Sequence, residues 1–143
     1  MSLALIRLLL DFGLFVLIWL VQLVVYPSFK YYQSADLLRW HGPYTQGISV
    51  IVIPLMLAQL FVVLYQCWQA PTAGAIASAA LVIALWGITF LQFVPLHDVI
   101  SRNSFDAQTL HELVAKNWWR TLLWTLLLGV SVAQYLSQVP ATE

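Results

Sequence analysis

No Asp, Glu, Lys or Arg occurs between Arg39 and Asp98. One helix cannot use so long an uncharged run, and a water-soluble domain carries roughly 25% charged residues. This chain carries 8% charged and 62% hydrophobic residues in a length of 143. So apolar a composition cannot be covered with polar surface at this size, and lipid must act as the solvent. The run breaks at Ala70-Pro71-Thr72-Ala73-Gly74, because Pro and Gly punctuate helices. Two membrane spans are expected within it, at about 44–68 and 75–96.

The N-terminal segment supplies another span, at about 5–26. It holds no charge from Phe12 to Phe29, close to the roughly 20 apolar residues that a bilayer core needs. Arg7 precedes the apolar run, but no small-x-small cleavage pattern follows it. The run ends instead in aromatics suited to a membrane interface, so an uncleaved helix is expected. Arg7 and Asp11 are four residues apart and can pair at its start. The last span is expected at about 118–136, with Pro140 closing the chain. The fold class is therefore all-α integral membrane: one domain, 1–143, forming a four-helix transmembrane up-down bundle.

Two short cytoplasmic interfacial caps complete the expected architecture. Ser34 can cap a helix over Ala35–His41 that Gly42-Pro43 stops. Leu37, Leu38 and Trp40 would lay that helix on the interface. The second cap, begun by Ser104 or Asp106, is amphipathic through Leu110, Leu113, Val114 and Asn117. Lys30, Arg39, Arg102, Lys116 and Arg120 lie toward the cap end and only Arg7 toward the other. Positive residues stay inside, so the caps should be cytoplasmic and both termini outside, in a bacterial inner membrane. A weak internal echo accompanies this. Gln22…Tyr26-Pro27 and Gln92…Val94-Pro95 close spans one and three, and His41-x-x-Tyr44-Thr45 and Asn117-x-x-Arg120-Thr121 open spans two and four.

Zero net charge gives no reason to expect nucleic acid. A single cysteine, Cys67, excludes a disulfide framework and a Cys-rich metal site. All three histidines, His41, His97 and His111, belong to the cytoplasmic end. His41 and His97 can face each other on antiparallel spans, as general base candidates or as haem or metal ligands. Asn117, Arg120, Thr121 and Trp124 fall at i, i+3, i+4 and i+7, forming one stripe. An arginine there is suited to hold a carboxylate, phenolate or enolate. Catalytic candidates are therefore His41, His97, Asn117 and Arg120. Gln22, Tyr26, Trp40, Tyr44, Gln92 and Thr121 are candidates for a substrate pocket. No metal or cofactor is required by these residues.

Pro95 and His97, followed by Asn117-Trp118-Trp119-Arg120-Thr121 opening the last span, resemble a known pattern. It is similar to that of the small four-span membrane proteins of the anthrone oxygenase-like family. The resemblance implies a four-helix membrane bundle, with Arg120, Asn117 and His97 as matching positions. It also implies oxygenation of aromatic polyketides without a recognised cofactor. Tyr26-Pro27 and Trp40-His41 are not part of it. The readings kept open are three. One is an oxygenase or oxidoreductase acting on a small lipophilic molecule. The second is a non-catalytic bundle whose small-residue face, Gly74 to Ala84, packs on a second copy or a membrane partner. The third is a haem or metal carrier. Transport is least favoured, since the midplane lacks charge.

Overall fold

A computed structural model describes residues 2–138, and every regular element within them is helical. Four long helices are present: α1, Leu3–Tyr31; α2, Ser34–Gln69; α3, Ala73–Ser101; and α4, Ala107–Leu136. The first three are long and apolar enough to cross a membrane. The chain is thus a helical protein with the character of a multi-pass membrane protein, its outer surface suited to lipid. Exposed apolar side chains line that surface, among them Leu9, Phe12, Val16, Ile51, Phe61, Ile83 and Leu91. Pro140 lies outside the described residues.

Side chains fix how the helices are arranged. Arg7, near the start of α1, bonds Gln66 near the end of α2, Ser78 near the start of α3 and Gln134 near the end of α4. Starts of α1 and α3 therefore share a level with ends of α2 and α4, so successive helices run in opposite directions. α1 packs against α2 and α4, and α3 closes the ring against the same two. The middle of the bundle is filled by Leu14, Ile18, Met56, Val63, Val82, Leu85, Trp124 and Leu127.

The expected separate caps are absent as such. α2 runs unbroken from Ser34 through Gly42-Pro43. Pro43 removes one backbone donor, but on a face that is exposed at Arg39, Gly42 and Pro43. One turn later the Thr45 hydroxyl donates to the carbonyls of His41 and Gly42 at 3.0 Å. Continuity places Leu37, His41 and Tyr44 on a single inward stripe, and burial of Leu37 and His41 outweighs the local breaker. Ser34 is the first helical residue rather than the cap, and Gln33 at the cap makes no side-chain bond. The second cap is likewise the first part of α4. It begins at Asp106, whose carboxylate accepts the Thr109 amide and hydroxyl, each at 2.8 Å. Those two donors hold its carboxyl below the usual carboxylate range.

α1 and α3 each contain one π turn, Val21–Val25 and Thr89–Phe93. Both end two residues before a proline, Pro27 and Pro95. In each the residue before the proline donates five residues back, Tyr26 to Val21 and Val94 to Thr89. A proline ring crowds the carbonyl four residues earlier, and a widened turn moves that carbonyl away. The echo extends to α2 and α4, where Thr45 and Thr121 donate to the carbonyls of His41 and Asn117.

Small residues at the start of α3 face inward in part. Ala75 and Ser78 are buried, and a Cβ on Gly74 would lie 2.8 Å from Gln134 Nε2. This part of the Gly74–Ala84 face is occupied within the chain and is not free for a partner.

Candidate functional site

The site lies where α1 and α3 end and α2 and α4 begin. Its frame is apolar: Val21, Phe29, Leu37, Phe93, Ile100 and Leu113 are buried around it. Into this frame four helices direct polar groups. His97, one turn after the π segment of α3, meets His41 of α2, with Nδ1 2.9 Å from His41 Nε2. His97 Nε2 lies 3.0 Å from the Tyr26 hydroxyl, and His41 Nδ1 lies 3.1 Å from Ser101 Oγ. All four ring nitrogens of the pair therefore have a partner. Tyr26 is held by a near-parallel stack on Phe93, with centroids 6.2 Å apart.

Arg120 comes in from α4. Its guanidinium sits 4.3 Å above the Phe93 ring and 5.2 Å from the Trp124 ring, a cation–π setting worth about 2 kcal/mol when desolvated. Asn117 sets its orientation. Gln22 Oε1 accepts from Asn117 Nδ2 at 2.9 Å, which turns Asn117 Oδ1 toward Arg120 Nη1 at 3.4 Å. Gln22 in turn donates to the Val114 carbonyl and accepts from the Thr121 hydroxyl. Among the described residues Arg120 pairs with no carboxylate, and its Nε has no hydrogen-bond partner.

A cavity of about 300 Å³ adjoins these groups, at the lower end of the range for small-molecule sites. Tyr26, Tyr44, His97 and Arg120 line its polar end, and its remaining wall is mostly apolar. Trp86 and Thr89 also line it. Trp86 Nε1, Thr89 Oγ1 and Arg120 Nε are the buried side-chain polar atoms left unpaired among the described residues. Such atoms cost about 1–3 kcal/mol each unless something satisfies them. Ile53, Phe90 and Val94 line the cavity yet are half exposed on the outer surface. They mark its opening, sideways between α2 and the π turn of α3.

Several expected site residues take other places. Trp40 is on the outer surface, 46% exposed, because the continuous α2 turns Leu37 and His41 inward and Trp40 away. Gln92 is exposed too. Counting back from each proline, its counterpart in α1 is Val24, which is also exposed. The inward positions of the π turn are Thr89 and Phe93 instead. Gln22, Asn117, Thr121 and His41 stand behind the cavity wall as supports and do not line it. His111 belongs to a separate surface depression with Lys30 and Tyr26. Asp98 and Glu112 pair locally with Arg102 and Lys116. A metal fits poorly. Ring nitrogens 2.9 Å apart are closer than the about 4 Å between two ligands on opposite sides of one ion. No third His, Cys, Asp or Glu joins them among the described residues.

Trp86, Thr89 and Phe93 were not singled out as site residues by sequence reasoning. For Thr89 and Phe93 the available signal was their four-residue spacing toward His97, which only a widened turn keeps in line; Trp86 falls outside that spacing. The chain matches no protein-family model, no curated protein and no solved structure.

Proposed function

We propose that this is a four-span membrane bundle that takes a small lipophilic molecule from the bilayer and performs acid–base chemistry on it. α4 is counted as a span because Leu122, Leu126, Val132 and Leu136 face outward while its polar groups face in, as lipid demands. The basic end, with Lys30, Arg39, Arg102 and Lys116, is read as cytoplasmic. At the other end Arg7 is spent inside on Asp11.

The observation that carries this reading is the trio of unpaired donors, Arg120 Nε, Trp86 Nε1 and Thr89 Oγ1, on residues lining a mostly apolar cavity. A ligand with an apolar body and an anionic or carbonyl oxygen would fit this wall, its oxygen turned toward the Arg120 guanidinium. Tyr26 and His97 stand on the same wall to take a proton from a phenol or enol. Arg120, without a carboxylate of its own, would hold the anion that results. Deprotonation of this kind is the first step expected of the oxygenase chemistry that the family resemblance implies.

The test is titration of the purified full chain with 1-naphthol and with naphthalene, followed by tryptophan fluorescence. 1-Naphthol should bind, and naphthalene more weakly. Arg120→Gln should weaken 1-naphthol about 10- to 100-fold, the worth of one charge-assisted hydrogen bond. Equal binding of both compounds, or no change in Arg120→Gln, would overturn the reading.

A further inference from the structure

We infer that Ser101, His41, His97 and Tyr26 form a proton relay joining the exposed basic face to the cavity. Its links are 3.1 Å from Ser101 Oγ to His41 Nδ1, 2.9 Å from His41 Nε2 to His97 Nδ1, and 3.0 Å from His97 Nε2 to the Tyr26 hydroxyl. Each distance is that of a hydrogen bond. Every member both donates and accepts through different atoms, or through one hydroxyl. One end is open, because Ser101 is exposed. The middle is shut off, because His41 is fully buried. The other end, Tyr26 with His97, lines the cavity.

One consistent arrangement has both imidazoles neutral and protonated on Nδ1. Tyr26 then donates to His97 Nε2, His97 Nδ1 to His41 Nε2, and His41 Nδ1 to Ser101 Oγ. A proton taken from a bound phenol or enol by the Tyr26 oxygen displaces the Tyr26 proton to His97 Nε2. The His97 Nδ1 proton passes to His41 Nε2, and the His41 Nδ1 proton to Ser101 Oγ. Ser101 releases its own proton to water. The substrate loses one proton, water gains one, nothing is oxidised, and each imidazole ends as its other tautomer. His41 and Ser101 are positioning residues here, since neither lines the cavity.

Buried polar groups elsewhere show what a purely structural cluster looks like. Arg7 and Asp11 bond Gln59, Gln66, Ser78 and Gln134, and no member reaches the cavity. The histidine pair differs in running from one exposed residue to one cavity.

The relay rests on the cavity being an acid–base site, but its test needs no ligand. The full chain, labelled with nitrogen-15 at its three histidines, is placed in lipid nanodiscs. Exchange of the His97 ring N–H with water is followed by nuclear magnetic resonance. Wild type should exchange through His41. His41→Phe, which breaks the wire, and His41→Gln, which keeps a hydrogen bond but cannot shift between tautomers, should each slow exchange at least tenfold. A merely structural role for His41 predicts the reverse, because loosened packing lets water in. Exchange in His41→Gln as fast as in wild type overturns the relay, whether or not His41→Phe folds. Absence of 1-naphthol binding with exchange still dependent on His41 would sink the cavity reading and leave the relay standing.

Discussion

Two buried arginines show how a single residue type can serve opposite ends. Every nitrogen of the Arg7 guanidinium has an acceptor: Asp11 accepts from its Nε at 3.3 Å, Gln66 and Gln134 from Nη1, and Ser78 from Nη2. Gln59 donates to the far oxygen of Asp11 at 2.6 Å. One ion pair thereby touches all four helices. Removing one member strands the other in an apolar interior, so Asp11→Leu should destabilise by about 3–5 kcal/mol. The double variant Arg7→Met with Asp11→Leu should cost clearly less than the sum of the two singles, because no lone charge remains. Unfolding in mixed micelles measures both. Arg120 is the contrary case, held by two aromatic faces and one amide, with Nε left over. The i, i+4 pairing of Arg7 with Asp11 was legible in the sequence. Its three glutamine and serine partners were not, since they lie 59 to 127 residues away.

At the scale of the element, the π turns decide which residues the site receives. Thr89, Phe93 and His97 are four apart, a spacing that drifts round a regular helix by roughly 40° per step. The additional residue in the Thr89–Phe93 turn takes up that drift. Deleting Leu91, which is 80% exposed, should restore a regular turn and bring the Pro95 ring against a carbonyl. The kink should carry His97 off His41 and weaken 1-naphthol at least tenfold, whereas Leu91→Ala should change affinity less than twofold. The start of α4 makes a second prediction. Asp106 is held ionised by Thr109, with its pKa lowered in the folded state. Its contribution is therefore complete above the unfolded value near 4 and is lost only as pH falls through the lower folded value. Asp106→Ala should remove that acid-range dependence, read as amide protection in the first turn of α4 between pH 2 and 5. Asp106 was one of two caps legible in sequence. The break read at Gly42-Pro43 was not realised, because burying Leu37 and His41 on one stripe outweighs a local preference.

For the molecule as a whole, polar groups turned inward and apolar groups turned outward suit lipid as the solvent, and the charges at the two ends give orientation its test. Basic residues gather at the His41–His97 end, while the far end of α2 carries the single cysteine, Cys67, which is partly exposed. With that end outside, a membrane-impermeant maleimide should label Cys67 in intact cells. In a Cys67→Ser background, Ser101→Cys should be labelled only after permeabilisation. The reverse pattern would invert the topology while leaving the cavity reading untouched.

Sequence alone determined the solvent, through an uncharged run no water-soluble chain of this length could hide. It determined that helices form, where Ala70 to Gly74 ends one hairpin, and that Asn117, Arg120, Thr121 and Trp124 share one stripe. These are properties of composition and of period within one helix. Tertiary structure decided the rest. It brought His41 within 2.9 Å of His97, turned Gln92 and Trp40 outward, and left Arg120 Nε, Trp86 Nε1 and Thr89 Oγ1 without partners. The reason is physical. Periodicity states which residues share a face of one helix, but how that face is rotated toward its neighbours depends on packing across the bundle. Here two proline-linked π turns reset that rotation just before the site.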